Sequence, residues 1–168
     1  AEYTPELLEE QDALFDSYPL DYLILGQHFL GTDDYCYVGR PTDREDILSQ
    51  YVDSVIEGMQ SGRYLYLAHP DLIYFTGDKE IYDKYMYRLC RELKELGMPL
   101  ELNVLGLADH RHYPAERFLK IAAETGNPFI LGIDAHTPEQ LQNRQALGRA
   151  EELCGKHGIQ LMDDRILL

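Results

Sequence analysis

Three short apolar runs in this chain each lead into a side chain that can bind a metal ion. Residues 22–26 lead into His28, residues 64–68 into His69, and residues 129–133 into Asp134 and His136. Apolar runs of this length are typical of strands that are buried on both faces. The polar side chains that follow them are therefore expected at the carboxyl ends of strands, where the sites of α/β proteins are built.

Helical patterns alternate with these and two further strand-like runs. Helices are predicted over residues 4–17, 43–61, 80–96, 114–125 and 138–157, and strands over residues 20–26, 64–68, 99–104, 129–133 and 159–162. Alternation of this kind predicts parallel strands joined by helical crossovers, which is an α/β architecture. Residues 31–42, rich in Gly, Asp and Tyr, are predicted to form a loop. Because no repeat or linker is found, residues 1–168 are predicted to form a single domain.

Five polar side chains lie at or just beyond the carboxyl ends of four predicted strands: His28, His69, Asn103, Asp134 and His136. The carboxyl ends of parallel strands meet at one rim, so these side chains are expected to lie close together. A (β/α) barrel with several metal ions at this rim explains the arrangement. Histidine and carboxylate ligands suit zinc, iron or manganese, whereas an all-oxygen set would suit magnesium or calcium.

Each of these side chains, taken alone, has a structural alternative. His28 could cap its strand through a backbone hydrogen bond, and His69, which precedes Pro70, could belong to a turn. Asp134 could be the amino-terminal cap of the helix predicted from residue 138. Their joint placement at strand ends favours the metal site.

The charge and the cysteines narrow the function classes. Thirty acidic residues against fifteen Lys and Arg give a net charge of −15, which disfavours binding to nucleic acid. No apolar run is long enough for a membrane span, and the first residues lack the pattern of a signal peptide. Cys36, Cys90 and Cys154 lack paired spacing and suit reduced thiols, so a cytoplasmic location is expected.

Four segments in order along the chain resemble PHP-domain phosphoesterases. They are residues 20–29, 67–73, 100–103 and 132–136, which include His69-Pro70-Asp71 and Asp134-Ala135-His136. The likeness extends over nearly the whole chain and points to the histidinol-phosphatase branch. Those enzymes hydrolyse L-histidinol phosphate to L-histidinol and phosphate in histidine biosynthesis. The resemblance implies a distorted, TIM-like barrel of seven strands with a cluster of three metal ions.

The resemblance also implies roles for individual residues. By position, His28, His69, Asp134 and His136 would bind metal ions, and Asp134 and His136 would act in catalysis. Up to three divalent ions (zinc, manganese or iron) would convert a bound water to hydroxide, which would attack the phosphorus atom. Asn103 would lie at a pocket-facing strand end and support binding of the substrate.

The segment His110-Arg111-His112 lies in a polar loop between a predicted strand and a predicted helix. Its two histidines mimic a ligand pair, but their place in a loop favours a solvated segment. Arg111 is the first candidate for binding phosphate, because a guanidinium group matches two phosphate oxygens at once. Arg40 and Lys79, in the other two long loops, are the alternatives.

The chain departs from the family pattern at its beginning. PHP proteins start with a His-any-His strand, followed by another His and a Glu that bridges metals, and none of these precedes His28. Residues 1–5 look like those just after the bridging Glu, for which Glu2 is a candidate substitute. We therefore expect the carboxyl-terminal part of a PHP-like domain: a partial barrel without its amino-terminal strands. Weak metal binding and slow or absent turnover are expected of its incomplete site.

Three function classes follow. The first is a metal-dependent phosphomonoesterase acting on a small phosphorylated substrate, with histidinol phosphate as the first candidate. The second is a PHP phosphodiesterase or exonuclease, which the acidic charge disfavours. The third is a non-catalytic fragment or scaffold that pairs with another chain, or with a copy of itself as a homo-oligomer, through an exposed strand edge.

Overall fold

A row of parallel backbone pairings runs through the centre of the molecule. The computed structural model describes residues 1–32 and 36–162, so part of the loop predicted at 31–42 lies outside the described residues. The row consists of residues that pair side by side in sequence order: Leu25, Leu67, Leu100, Phe129 and Leu161. All of these pairings are parallel, which is the arrangement that helical crossovers produce. This row, called the parallel row below, brings all five predicted strand segments together.

Two of the five segments are regular strands. They are β1 (Leu100–Asn103) and β2 (Phe129–Gly132), with Leu100 opposite Phe129 and Asn103 opposite Gly132. The strands predicted at residues 20–26, 64–68 and 159–162 are reduced to single bridges, although Leu65 N–H still donates to Leu23 (2.8 Å). The parallel α/β architecture is confirmed, whereas the partial barrel and the missing strands stay predictions.

Apart from α1, which precedes Leu25, the helices lie between members of the parallel row along the sequence. They are α1 (Leu8–Phe15), α2 (Glu45–Gln60), α3 (Lys79–Glu95), α4 (Val104–Ala108), α5 (Glu116–Thr125) and α6 (Arg144–His157), with 3-10 turns at Pro5–Leu7 and Pro138–Gln142. The predictions at 43–61, 80–96 and 114–125 are confirmed to within about two residues at each end. In the described ranges, none of the helices has the length and apolar character needed to cross a bilayer.

The helix predicted over 4–17 is found as the 3-10 turn Pro5–Leu7 followed by α1, and capping explains two further differences from the predictions. The helix predicted over 138–157 is divided because Thr137 and Gln140 form a capping box on the 3-10 turn, after which Asn143 caps α6. The sequence pattern also missed α4, whose apolar residues look like a continuation of β1. The helix begins there because Asn103 Oδ1 accepts the N–H of Gly106 (2.7 Å).

The apolar core holds the parallel row rigidly. Helix α2 packs against α3, and α3 packs against α5. Their fully buried side chains include Tyr51, Leu89 and Phe118, and the row contributes Leu25, Leu67, Leu100 and Phe129. Burial of each large apolar side chain contributes about 1.5–3 kcal/mol before conformational entropy is subtracted. The backbone positions at which the following loops begin are therefore fixed.

Asp71 ties the loop after Leu67 to the beginning of α5. Its carboxylate is buried, and Oδ2 accepts the N–H of Ala115, the residue that precedes the helix, at 2.6 Å. The other oxygen, Oδ1, is buried without a hydrogen-bond partner among the described residues. Burial raises the pKa of Asp71 to about 7, so the charge on this carboxylate is unfavourable in its setting.

Substitutions at Asp71 should distinguish the effect of its hydrogen-bond acceptor on stability from the effect of its buried charge. Asp71→Ala leaves the Ala115 N–H without an acceptor, which should lower the free energy of unfolding by about 1–3 kcal/mol. Asp71→Asn keeps an acceptor oxygen and removes the buried charge, so its stability should equal or exceed that of the wild type. Urea denaturation measures both. An equal loss in the two variants would contradict this account.

Candidate functional site

His28 and His69 lie next to each other at the carboxyl ends of the first two segments of the parallel row. Their ring centroids are 4.7 Å apart, with an interplanar angle of 66°. They meet because Leu25 pairs with Leu67, so the residues that follow emerge side by side. A Cβ at Gly26 would lie 3.2 Å from His28 Cε1 and 3.4 Å from His69 Nε2. Glycine at this position therefore leaves space for the two rings.

The orientation of His28 is set by its own backbone. Nδ1 lies 2.8 Å from the carbonyl oxygen of Gly26 and 3.3 Å from Glu2 Oε1. An N–H at Nδ1 that donates to the carbonyl leaves Nε2 as an acceptor, which is the usual state of a metal-binding histidine. The alternative role of His28, which is to cap its strand, would use the same hydrogen bond between Nδ1 and the carbonyl of Gly26. Glu2 also accepts the N–H of Phe29 (3.0 Å), so its carboxylate is held beside the ring.

His69 is held as a neutral imidazole. It is 5% exposed, and burial lowers its pKa to about 4; the charge of His28 adds to this effect and the charge of Asp134 opposes it. Nδ1 of His69 is buried without a hydrogen-bond partner in the described ranges. The turn alternative is also correct, because the N–H of Leu72 donates to the carbonyl of His69 (2.9 Å). A neutral, unpaired ring nitrogen is the form that binds metal ions.

Asp134 faces the same region from the end of β2. Its Oδ2 accepts a hydrogen bond from Asn103 Nδ2 (3.2 Å), and its charge acts on the pKa of His69. The alternative that Asp134 caps the following helix is wrong, because Thr137 occupies the cap position. Asp134 is therefore directed to the rim by its contact with Asn103.

His136 lies beside Asp134 but farther from the core. Its Nδ1 is 2.8 Å from the carbonyl oxygen of Asp134 and 3.9 Å from Asp134 Oδ1, and its side chain is 69% exposed. Its backbone N–H donates to Gln140 Oε1 (2.6 Å). The ring has the same arrangement as His28, in which Nδ1 is bonded to a nearby carbonyl and Nε2 is left as an acceptor.

Arg111 approaches the imidazole pair from the loop between α4 and α5. Its Nη1 donates to the Tyr113 hydroxyl (2.6 Å) and its Nη2 to Asp109 Oδ2 (2.9 Å). The Tyr113 ring centroid is 5.8 Å from that of His69, and the Arg111 charge contributes to the low pKa of His69. The alternative anchor Lys79 lines a cavity of about 300 Å³ that neither His69 nor Arg111 lines. Arg111 is thus the better placed of these two cations.

The two histidines that flank Arg111 have structural contacts. His112 Nε2 lies 2.7 Å from the carbonyl oxygen of Leu72, and its ring stacks on Tyr74 with centroids 4.2 Å apart. His110 Nδ1 lies 3.3 Å from Arg149 Nη1. The expectation of a solvated segment is correct only in part, because His110 is exposed and His112 is half-buried.

Sequence reasoning missed Glu101, which lies in the middle of β1. It is 4% exposed, and its Oε2 accepts the N–H of His69 (2.8 Å) and Nδ2 of Asn103 (2.9 Å). Burial raises the pKa of Glu101, and the two hydrogen bonds oppose this rise. The signal that could have found it is a lone charged residue in an apolar strand, which is costly unless it is hydrogen-bonded.

The donors fit a zinc-type ion by their chemistry, but they are not assembled around one point. Within residues 1–32 and 36–162, no group of three or more His, Cys, Asp or Glu side chains is arranged to hold a metal ion. The individual donors are nevertheless suitable: the imidazoles of His28, His69 and His136, and the carboxylate of Asp134. Imidazole and carboxylate together are typical ligands of zinc, iron and manganese.

A comparison of sequences finds one histidinol-phosphatase relative. No family model matches the chain. The chain is 30% identical over 151 residues to a protein of Deinococcus radiodurans named "Probable histidinol-phosphatase". The match covers 85% of this chain and 56% of that protein, so this chain spans little more than half the length of its curated relative.

Two solved structures share the fold. One is the histidinol phosphate phosphatase of Lactococcus lactis in complex with zinc, L-histidinol and phosphate, with a TM-score of 0.67 and 18% identity, covering 96% of this chain and 66% of that one. The other is a histidinol phosphatase candidate from Listeria monocytogenes, with a TM-score of 0.64 and 17% identity, covering 87% and 65%. The resemblance to the histidinol-phosphatase branch of the PHP-domain phosphoesterases is therefore confirmed, in sequence by the Deinococcus protein and in fold by the two structures.

Proposed function

We propose that this chain carries part of the site of a metal-dependent phosphomonoesterase whose substrate is L-histidinol phosphate. The observation that carries the proposal is the contact of His28 with His69, whose ring centroids are 4.7 Å apart at adjacent strand ends. Asp134 accepts a hydrogen bond from Asn103 at the end of β1, and Arg111 bonds to Tyr113, whose ring centroid lies 5.8 Å from that of His69. The name of the Deinococcus relative and the zinc, L-histidinol and phosphate bound by the Lactococcus enzyme support this substrate and this class of cofactor.

Four side chains would hold the metal ions: His28, His69, Asp134 and His136. When bound, divalent ions of zinc, manganese or iron would supply hydroxide near neutral pH and offset the negative charge of the phosphate. His69 would bind without first losing a proton, because it is neutral at physiological pH. Asp134 and His136 would act in catalysis as ligands of the ion that supplies the hydroxide, with the ring of His136 oriented by the contact of its Nδ1 with the Asp134 carbonyl.

Arg111 would bind the phosphate group of the substrate. Its guanidinium is oriented by Tyr113 and Asp109, and 38% of its side chain is exposed, so one edge is available to phosphate oxygens. Asn103 is 1% exposed and bonds to Gly106, Glu101 and Asp134, so we assign it a supporting role through Asp134 instead of direct substrate contact. An exonuclease is disfavoured because the net charge of −15 repels nucleic acid. Cytoplasmic location and pairing of copies through a strand edge stay predictions.

Zinc binding should depend on His69. His69→Ala removes a buried neutral imidazole that no other side chain replaces, and we expect the zinc affinity to fall at least about tenfold. Isothermal titration calorimetry with zinc measures this, with elemental analysis as a check. His157→Gln, at the carboxyl end of α6, is the control and should bind zinc as the wild type does. Unchanged affinity in His69→Ala would remove His69 from the ligand set.

The preference for monoesters tests the proposed reaction. With zinc or manganese added, we expect slow release of phosphate from L-histidinol phosphate and little hydrolysis of a bis(4-nitrophenyl) phosphate diester. The reason is that we assign Arg111 to a terminal phosphate, whose free oxygens and negative charge exceed those of a diester. Phosphate release and nitrophenol absorbance measure the two reactions. Faster diester cleavage, or no monoester cleavage with either metal, would refute the proposal.

Arg111 should contribute to substrate binding. Arg111→Gln removes the charge but keeps a polar side chain, and the loss of a charged hydrogen-bond donor should lower kcat/KM by about ten- to a hundredfold. Arg88→Gln in α3 is a matched control, because Arg88 is also a half-exposed arginine paired with an aspartate, Asp53. Steady-state kinetics with L-histidinol phosphate compares them. Equal effects of the two substitutions would exclude Arg111 as the phosphate anchor.

A further inference from the structure

The carboxylate of Glu101 links two of the proposed metal ligands. Its Oε2 accepts the backbone N–H of His69 at 2.8 Å and Nδ2 of Asn103 at 2.9 Å. The same Asn103 nitrogen donates to Asp134 Oδ2 at 3.2 Å. A continuous path of hydrogen bonds therefore runs from the backbone of His69 through Glu101 and Asn103 to the carboxylate of Asp134.

Both ends of this path are in a strained backbone conformation. His69 has φ of 31° and Asp134 has φ of 53°, in the left-handed region that non-glycine residues rarely adopt. Such residues persist only where the surroundings hold them. At His69 the hydrogen bond from its own N–H to Glu101 supplies this restraint directly. At Asp134 the restraint comes through Asn103, which is itself fixed because its Oδ1 caps α4.

Gly132 leaves the space that Glu101 occupies. A Cβ built on Gly132 would fall inside the van der Waals radius of Glu101 Oε1, and it would also crowd the carboxyl carbon and Cγ. The φ of Gly132 is not in the left-handed region, so the backbone itself does not require glycine there. Glycine is required because the Glu101 side chain lies across its Cα.

We infer that Glu101 is a positioning residue for the metal site, held over Gly132 so that one carboxylate orients both His69 and Asp134. This inference rests on the proposed function only for the identity of these two ligands. It goes beyond the predicted ligand set because Glu101 need not touch the metal ion. Partners of this kind, which orient ligands through hydrogen bonds, commonly change metal affinity ten- to a hundredfold when they are removed.

Three substitutions test the role of Glu101. Glu101→Ala removes the shared acceptor, and Gly132→Ala keeps every polar group but displaces the carboxylate; both should weaken zinc binding at least about tenfold. Glu101→Gln keeps an acceptor oxygen and should bind zinc nearly as the wild type does. Isothermal titration calorimetry with zinc gives the affinities. Hydrogen exchange of the His69 amide in the metal-free protein gives a second readout, slow in the wild type and in Glu101→Gln and fast in the other two.

Two control variants separate positioning from loss of stability. Gly155→Ala in α6 adds a methyl group that has no neighbour within 4 Å, so it should leave both readouts unchanged. Ile121→Val in the core of α5 lowers stability without touching the site, and its zinc affinity should equal that of the wild type. All affinities are measured well below the unfolding temperature of each variant.

The outcomes distinguish this inference from the proposed function. Wild-type zinc affinity in Glu101→Ala and Gly132→Ala would overturn the inference, and so would a wild-type chain that does not bind zinc. An affinity loss in Ile121→Val as large as in Gly132→Ala would also overturn it, because the effect would then follow stability. If zinc binding follows the expected order but no phosphomonoester is hydrolysed, the proposed function fails and the positioning role of Glu101 stands.

Discussion

The parallel pairing of five short segments at one level is the constraint on which the rest of the molecule depends. Leu100 is the central member, since it pairs with Leu67 on one side and Phe129 on the other. Because four of its members, Leu25, Leu67, Leu100 and Phe129, are fully buried in the apolar core, the segments that leave their carboxyl ends start from fixed positions. His28 and His69 become neighbours through this pairing alone, although forty-one positions of sequence separate them.

Burial and charge are balanced differently at each group of the rim. The imidazole of His69 is buried and stays neutral, so it carries no desolvation cost of a charge. The carboxylate of Glu101 is equally buried but receives two hydrogen bonds, which offset the cost of its charge. The Arg111 charge is partly offset by Asp109. A cation at the rim would meet the carboxylate of Asp134, which the hydrogen bond from Asn103 already orients.

The sequence patterns were sufficient for the order of the elements and for the meeting of His28 with His69. Those predictions depend on the spacing of apolar residues along the sequence and on the rule that the carboxyl ends of parallel strands meet at one rim. The patterns failed where one polar side chain decides a boundary, as with Thr137 in the capping box and Asn103 at the start of α4. Glu101 was missed for a related reason: the sequence shows it only as a lone charged residue in an apolar strand, and its contact with the backbone of His69 joins residues thirty-two positions apart.

The loop that carries Arg111 is fastened on both flanks, by the stacking of His112 on Tyr74 and by the contact of His110 with Arg149. Arg111 itself is clamped between Tyr113 and Asp109. The Arg111 side chain is therefore already restricted to one conformation in the folded protein. An anion that docks there would meet a preorganised receptor, so little entropy would be lost in ordering the loop, and recognition would resemble lock-and-key docking more than induced fit.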